Sequence, residues 1–279
     1  MKNRWIAAIG VLVSPVIATP ALAQAGCDRA VLASLAETYV EAQEAGEGFR
    51  VPMGEWVQYR ENFELSSMTY GGLLADPHEV DWHRTLLDTT TCTAFVEMII
   101  DDPASPWVVG TKISTRGGLV TRYDLVTSTT GDWLFDAART LQYASGEDWS
   151  EIPAANRAPR AELIAAADAY LDLFADKSVE VPWGTPCARL EGGIYTGRGE
   201  PTDSCNVGVP EGVALVERDY IVDESLGAVA VMLRFGEKRR PDVHLFRIED
   251  GRLRFIHTIT NCLGEPNCGF PPFEPPPGD

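Results

Sequence analysis

Apolar residues recur at helical spacing in two places, and at strand spacing in the stretches that follow each. Leu32, Leu35 and Tyr39 return every three or four residues behind Asp28, which can cap a helix. A second helix is expected behind Asn156 and Pro159, with Ile164, Ala167, Leu171 and Phe174 on one face. The stretches after each helix are rich in β-branched and aromatic residues and read as strands. After the first helix they run over about 94–100, 107–114, 119–127 and 133–137. After the second they run over about 212–222, 228–235, 243–248 and 252–260. Residues 138–159 read as a linker, and 269–279, with five prolines, as an extended disordered tail.

The helix-then-strands pattern reads as written twice, in the residues themselves as well as in the order of elements. Leu32…Tyr39-Val40-Glu41 returns as Leu163…Tyr170-Leu171-Asp172, displaced by 131 residues. Val51-Pro52-Met53-Gly54…Glu61 returns as Val181-Pro182-Trp183-Gly184…Glu191, displaced by 130. Further on, Phe95-Val96-Glu97 aligns with Leu215-Val216-Glu217, and Val109, Ile113, Gly131 and Phe135 with Val229, Leu233, Gly251 and Phe255, displaced by 120. The expected fold class is therefore α+β, as two tandem domains over 24–145 and 146–268, each a helix plus an antiparallel sheet; the resemblance given below implies that both are cone-shaped, with curved sheets.

The first 23 residues read as a cleavable signal peptide. Lys2 and Arg4 precede an apolar run from Trp5 to Ile17, and Ala21-Leu22-Ala23 offers small residues at −3 and −1. Cys27 raises a lipoprotein reading, but Gln24 stands where a lipobox has leucine. Removing this leader, with two basic residues and no acidic one, takes the net charge from −18 to −20. Such a surface disfavours nucleic acid and anionic membranes. Six cysteines remain, with no Cys-x-x-Cys among them. An oxidising periplasmic or secreted destination makes disulfides the expectation. Among 15 possible connectivities the local one is favoured: Cys27–Cys92, Cys187–Cys205 and Cys262–Cys268.

A leading helix with a meander of long strands resembles the nuclear transport factor two-like superfamily, the cone fold shared with ketosteroid isomerase, scytalone dehydratase and SnoaL-like cyclases. His83-Arg84-Thr85…Thr91-Cys92-Thr93-Ala94-Phe95, Gly131-Asp132-Trp133-Leu134-Phe135 and Pro186-Cys187-Ala188-Arg189-Leu190-Glu191-Gly192-Gly193 are similar to a family of exported fungal and bacterial proteins, known as a domain of unknown function. The superfamily resemblance implies a curved sheet around a pocket, either open to a small apolar ligand or filled by side chains. It carries over no catalytic residue.

Candidate chemistry rests on Asp250-Gly251, a two-residue hairpin signal between apolar strands. That turn sets Glu249 opposite Arg252, Phe246 opposite Phe255, and His244 opposite His257. His244, Phe246, Phe255 and His257 would then share one face, with the imidazoles as neighbours. Paired imidazoles suit proton transfer; the alternative is two neutral core histidines bonded to backbone or to each other. A metal would need Glu191 or Glu217 as a third ligand, and neither a metal nor a cofactor is expected. The same turn logic at Thr130-Gly131 puts Asp124 at the place of His244, as a candidate base or a salt-bridged residue. The candidate catalytic residues are thus His244, His257 and Asp124, and the candidate ligand-binding residues Glu191, Glu217, Phe246, Phe255 and Trp183. The expected function is binding of a small organic molecule in the second domain, with cofactor-free lyase, isomerase or hydratase chemistry. The alternative is a secreted protein without catalysis. No phosphate loop, Gly-x-Ser-x-Gly elbow or His-Glu-x-x-His motif is present. The sequence does not specify an oligomeric state.

Overall fold

A computed structural model describes residues 27–271. The first half runs α1 (Arg29–Ala45), β1 (Met53–Glu61), β2 (Glu64–Leu65), β3 (Trp82–Asp88), β4 (Thr93–Ile100), β5 (Trp107–Arg116) and β6 (Leu119–Thr129). A short helix, α2 (Ala137–Ala144), follows. The second half runs α3 (Arg160–Asp172), β7 (Trp183–Glu191), β8 (Ile194–Tyr195), β9 (Leu215–Asp223), β10 (Ala228–Phe235), β11 (Arg240–Glu249) and β12 (Arg252–Thr260). Asp28 caps α1 as expected, accepting from the Val31 amide. Pro159 opens α3, and Asn156 lies in a separate 3-10 turn.

Each half carries one curved, open, six-stranded sheet. The strand orders are β2-β1-β6-β5-β4-β3 and β8-β7-β12-β11-β10-β9. The sheets are mixed rather than antiparallel, because β1 runs parallel to β6 and β7 to β12. β3 to β6 and β9 to β12 form antiparallel meanders, whereas the first strand of each unit joins the last after a long crossover, which permits a parallel pair. The architecture is α+β in two units of matching order. Equivalent strands lie 130 to 135 residues apart at their starts. The late sequence alignment, displaced by 120, was therefore one strand out: Glu97 lies on β4 and Glu217 on β9, which match β10 and β3 respectively. The expected strand over 133–137 is a turn leading into α2, and the expected linker contains most of that helix.

The layers stack helix, sheet, sheet, helix. Leu32, Leu35 and Tyr39 of α1 pack on Val96, Ile113 and Tyr123 of the first sheet. Leu163, Tyr170 and Leu171 of α3 pack on Val231, Phe246 and Ile256 of the second. The other two faces meet in one core containing Phe95, Val108, Ala230, Val243, Leu245 and Phe255. Gly110 permits the close approach: a Cβ there would fall 3.2 Å from Val243 and 3.1 Å from Phe95.

A reciprocal clamp ties the edges. Asp88, ending β3, accepts from the Val222 amide at 3.0 Å and from Arg160 at 2.7 Å. Asp223, ending β9, accepts from the Leu87 amide and from Arg29, both at 2.9 Å. Each unit thus presents the same contact to the other, as in an isologous interface.

The three disulfides pair as expected: Cys27–Cys92, Cys187–Cys205 and Cys262–Cys268. They are consistent with an oxidising environment. No described helix is long and apolar enough to cross a membrane. The signal-peptide reading and all but Gly269–Pro271 of the expected tail lie outside the described residues.

Candidate functional site

The hairpin turn forms as its chemistry dictates, but the histidine pair does not. Asp250 and Gly251 take φ of 50° and 72°, Glu249 faces Arg252, and Ile248 faces Leu253. One residue is then skipped: Arg247 faces Phe255, leaving Arg254 in a β-bulge. Beyond it Leu245 faces His257, and His244 faces Thr258. His244 and Phe246 look toward α3; His257 and Phe255 look toward the other sheet. The slip lets Leu253 and Ile256 join the α3 core while Phe255 and Ile259 join the intersheet core. Strict alternation would have divided this apolar set differently.

His257 belongs to a buried charge cluster that bridges the units. Its Nδ1 lies 2.7 Å from Glu97 Oε1 and its Nε2 2.7 Å from Glu147 Oε2. Arg84 donates to Glu97 Oε2 at 3.2 Å and to the Ala144 carbonyl at 3.0 Å. Its guanidinium lies 3.9 Å from the Trp149 ring centroid and 4.7 Å from that of Trp82, within cation–π range. Burial alone would lower the pKa of His257, but the Glu97 and Glu147 carboxylates outweigh it and push it up to about 9. Burial would likewise raise Glu97, and the His257 and Arg84 charges hold it below the usual range instead. Two cations and two carboxylates balance. With both ring nitrogens donating, this imidazolium is a clasp between the sheets and not an available base.

His244 sits in a different setting beneath α3. Its Nδ1 lies 2.6 Å from Asp242 Oδ1, and Thr260 donates to Asp242 Oδ2 at 2.6 Å. The rings of Tyr170, Phe174 and Phe246 surround it at 5.7 to 6.0 Å between centroids. Burial pushes the Tyr170 phenol up to about 12, and its hydroxyl has no hydrogen-bond partner among the described residues. Arg189, whose Nε is likewise unpartnered among them, binds Glu191 at 2.6 Å. A carboxylate that orients an imidazole leaves the other ring nitrogen to take a proton. The alternation of Asp242 and His244 on one strand was a readable signal that the sequence reading missed.

The other expected residues divide. The column Glu61–Leu125–Thr111 in the first sheet matches Glu191–Thr258–His244 in the second. Asp124 therefore occupies the place of His257 and not that of His244. It is salt-bridged, to Arg122 at 2.5 Å and to Arg60 at 3.4 Å. Glu217 is an exposed edge-strand residue paired with Arg239 and Arg234. Trp183 packs edge-on against Tyr170, and Glu191 accepts from the Trp133 indole at 2.8 Å. Phe246 and Phe255 are core residues of opposite faces.

Two spaces adjoin these networks. A cavity of about 10 Å³, room for about one water, lies between Glu97, Trp133, Glu191, His257 and Thr260. A groove of about 380 Å³ runs along β7 and β8, under the loop that the Cys187–Cys205 bridge closes. Tyr195, Ala188, Pro186, Pro201, Asp203 and Arg254 line it. The bulge that turns His257 inward is also what places Arg254 in this groove. No curated protein and no solved structure matches the chain. The family described as "Domain of unknown function (DUF8021)" matches residues 156–260, so the second unit, from just before α3 to the end of β12, is similar to that family.

Proposed function

We propose that the chain is an exported small-molecule-binding protein whose ligand sits in the groove on the second unit. The observation that carries this reading is the room there, about 380 Å³, which falls within the range of small-ligand sites. The helix-covered interiors, where the superfamily resemblance puts a pocket, are packed with Tyr39, Tyr123, Tyr170 and Phe246. The matching strand orders and the reciprocal Asp88 and Asp223 contacts support a duplicated unit of nuclear-transport-factor-two-like kind over 24–145 and 146–268. The disulfides support export to the periplasm or beyond, guided by a leader over residues 1–23.

A second reading keeps acid–base chemistry, with His244 alone as proton carrier. The Asp242–His244 pair favours it, together with the unpartnered Tyr170 hydroxyl and Arg189 Nε. It requires α3 to shift and admit a substrate. Amide-resolved NMR with a mixture of small organic fragments separates the two. The groove reading expects shifts at Ala188, Tyr195, Gly197, Gly199 and Asp203. Shifts confined to Tyr170, Phe174 and His244 would instead select the interior.

A further inference from the structure

Resting on the groove reading, we propose that the groove takes a flat organic carboxylate, its apolar body against Tyr195 and its charge on Arg254. Arg84, Arg122, Arg160, Arg189 and Arg218 each hold a carboxylate in this acidic chain. Arg254 makes no ion pair among the described residues, although it lines the groove; its guanidinium lies 4.1 Å from the Phe255 ring centroid. Stacking on a ring orients a guanidinium while leaving its donors free for a planar anion. Arg254 also reaches the Tyr195 hydroxyl electrostatically, opposing the upward push that burial and Glu147 give that phenol.

The remaining surfaces fit a flat body. Tyr195 is held rigid by Tyr143, stacked at 4.6 Å and 11°. Arg139, also without an ion pair among the described residues, lies 5.9 Å from the Tyr143 ring centroid. Pro186, Ala188 and Pro201 complete an apolar wall. Gly197 lets the backbone pack closely on this wall, since a Cβ there would fall 2.6 Å from Tyr195 and 2.9 Å from Ala188. Of the groove's two carboxylates, Asp203 pairs with Arg198: its Oδ2 accepts from the Arg198 and Glu200 amides at 2.6 and 3.1 Å, and its Oδ1, without a hydrogen-bond partner among the described residues, lies 3.6 Å from the Arg198 guanidinium. Glu200 is exposed at the rim, where water screens it.

Titration calorimetry with 2-naphthoate and its neutral analogue 2-naphthylmethanol tests this on the full chain. The wild type should bind the carboxylate at least tenfold more tightly. Arg254→Gln should bring the two within about twofold while melting as the wild type does. Arg116→Gln, an equal loss of charge at the exposed end of β5 in the first unit, should keep the preference. Equal binding of both probes by the wild type, with the groove amides shifting in NMR, would overturn the carboxylate assignment and leave the groove reading intact. Saturable binding of neither probe would overturn both.

Discussion

Glu97→Gln is expected to cost about 3–5 kcal/mol of stability, the range for breaking a buried ion pair by removing one partner. The change is nearly isosteric, so little of the loss can come from packing. It leaves the His257 imidazolium and the Arg84 guanidinium sharing Glu147 alone, in a site all but closed to water. Removing both members of the pair, as in Glu97→Leu with His257→Leu, should recover a large part of the loss, because Arg84 and Glu147 still balance. The clasp also predicts a pH dependence. The folded pKa of His257 lies near 9, above its unfolded value of about 6.5. Its stabilisation is therefore complete below about pH 6.5 and is lost as pH rises through about 9. Chemical denaturation between pH 6 and 10 should show that decline in the wild type, and a much smaller one in Glu97→Gln. An unchanged midpoint in the variant would remove the clasp from the account.

Replacing Cys27 and Cys92 together by serine is expected to cost about 2–5 kcal/mol, the usual consequence of losing a native disulfide. The bridge spans 65 residues and fastens the start of α1 beside the start of β4. α1 supplies Leu32, Leu35 and Tyr39 to the first unit's inner core, so loosening its start weakens that whole layer. The Cys262–Cys268 bridge closes only six residues and should cost less when removed, since the entropy withheld from the unfolded chain grows with loop length. Denaturation midpoints under oxidising conditions check both. A Cys27/Cys92 double variant as stable as the wild type would contradict the anchoring role.

What the sequence disclosed was local. The Asp28 cap, the Leu32–Leu35–Tyr39 spacing and the Asp250-Gly251 turn each follow from neighbouring residues, and each formed. The disulfide partners were readable because each cysteine pairs with its neighbour in sequence: Cys27 with Cys92, Cys187 with Cys205, and Cys262 with Cys268. β3 was missed: Trp82, His83 and Arg84 look like a polar loop, and their burial depends on Glu97, Ala144 and Trp149, which lie farther along the chain. Missing that strand shifted the second half of the repeat alignment by one strand. The bulge at Arg254 was invisible for a related reason. Turn chemistry sets register only next to the turn, and the slip is favoured by two cores on opposite faces of one strand. Glu147 and Arg254 carried no motif at all, since their partners come from distant elements.

That single residue of slip turns His257 into the clasp, Arg254 into the groove and His244 toward α3. Side-chain NMR of the two histidines at pH 7.5 tests it most directly. The predicted result is a doubly protonated His257 ring in contact with Trp149, and a His244 ring in contact with Tyr170 and Phe174. A His257 ring that contacts His244 and Phe246 would restore the unbulged register and contradict the account.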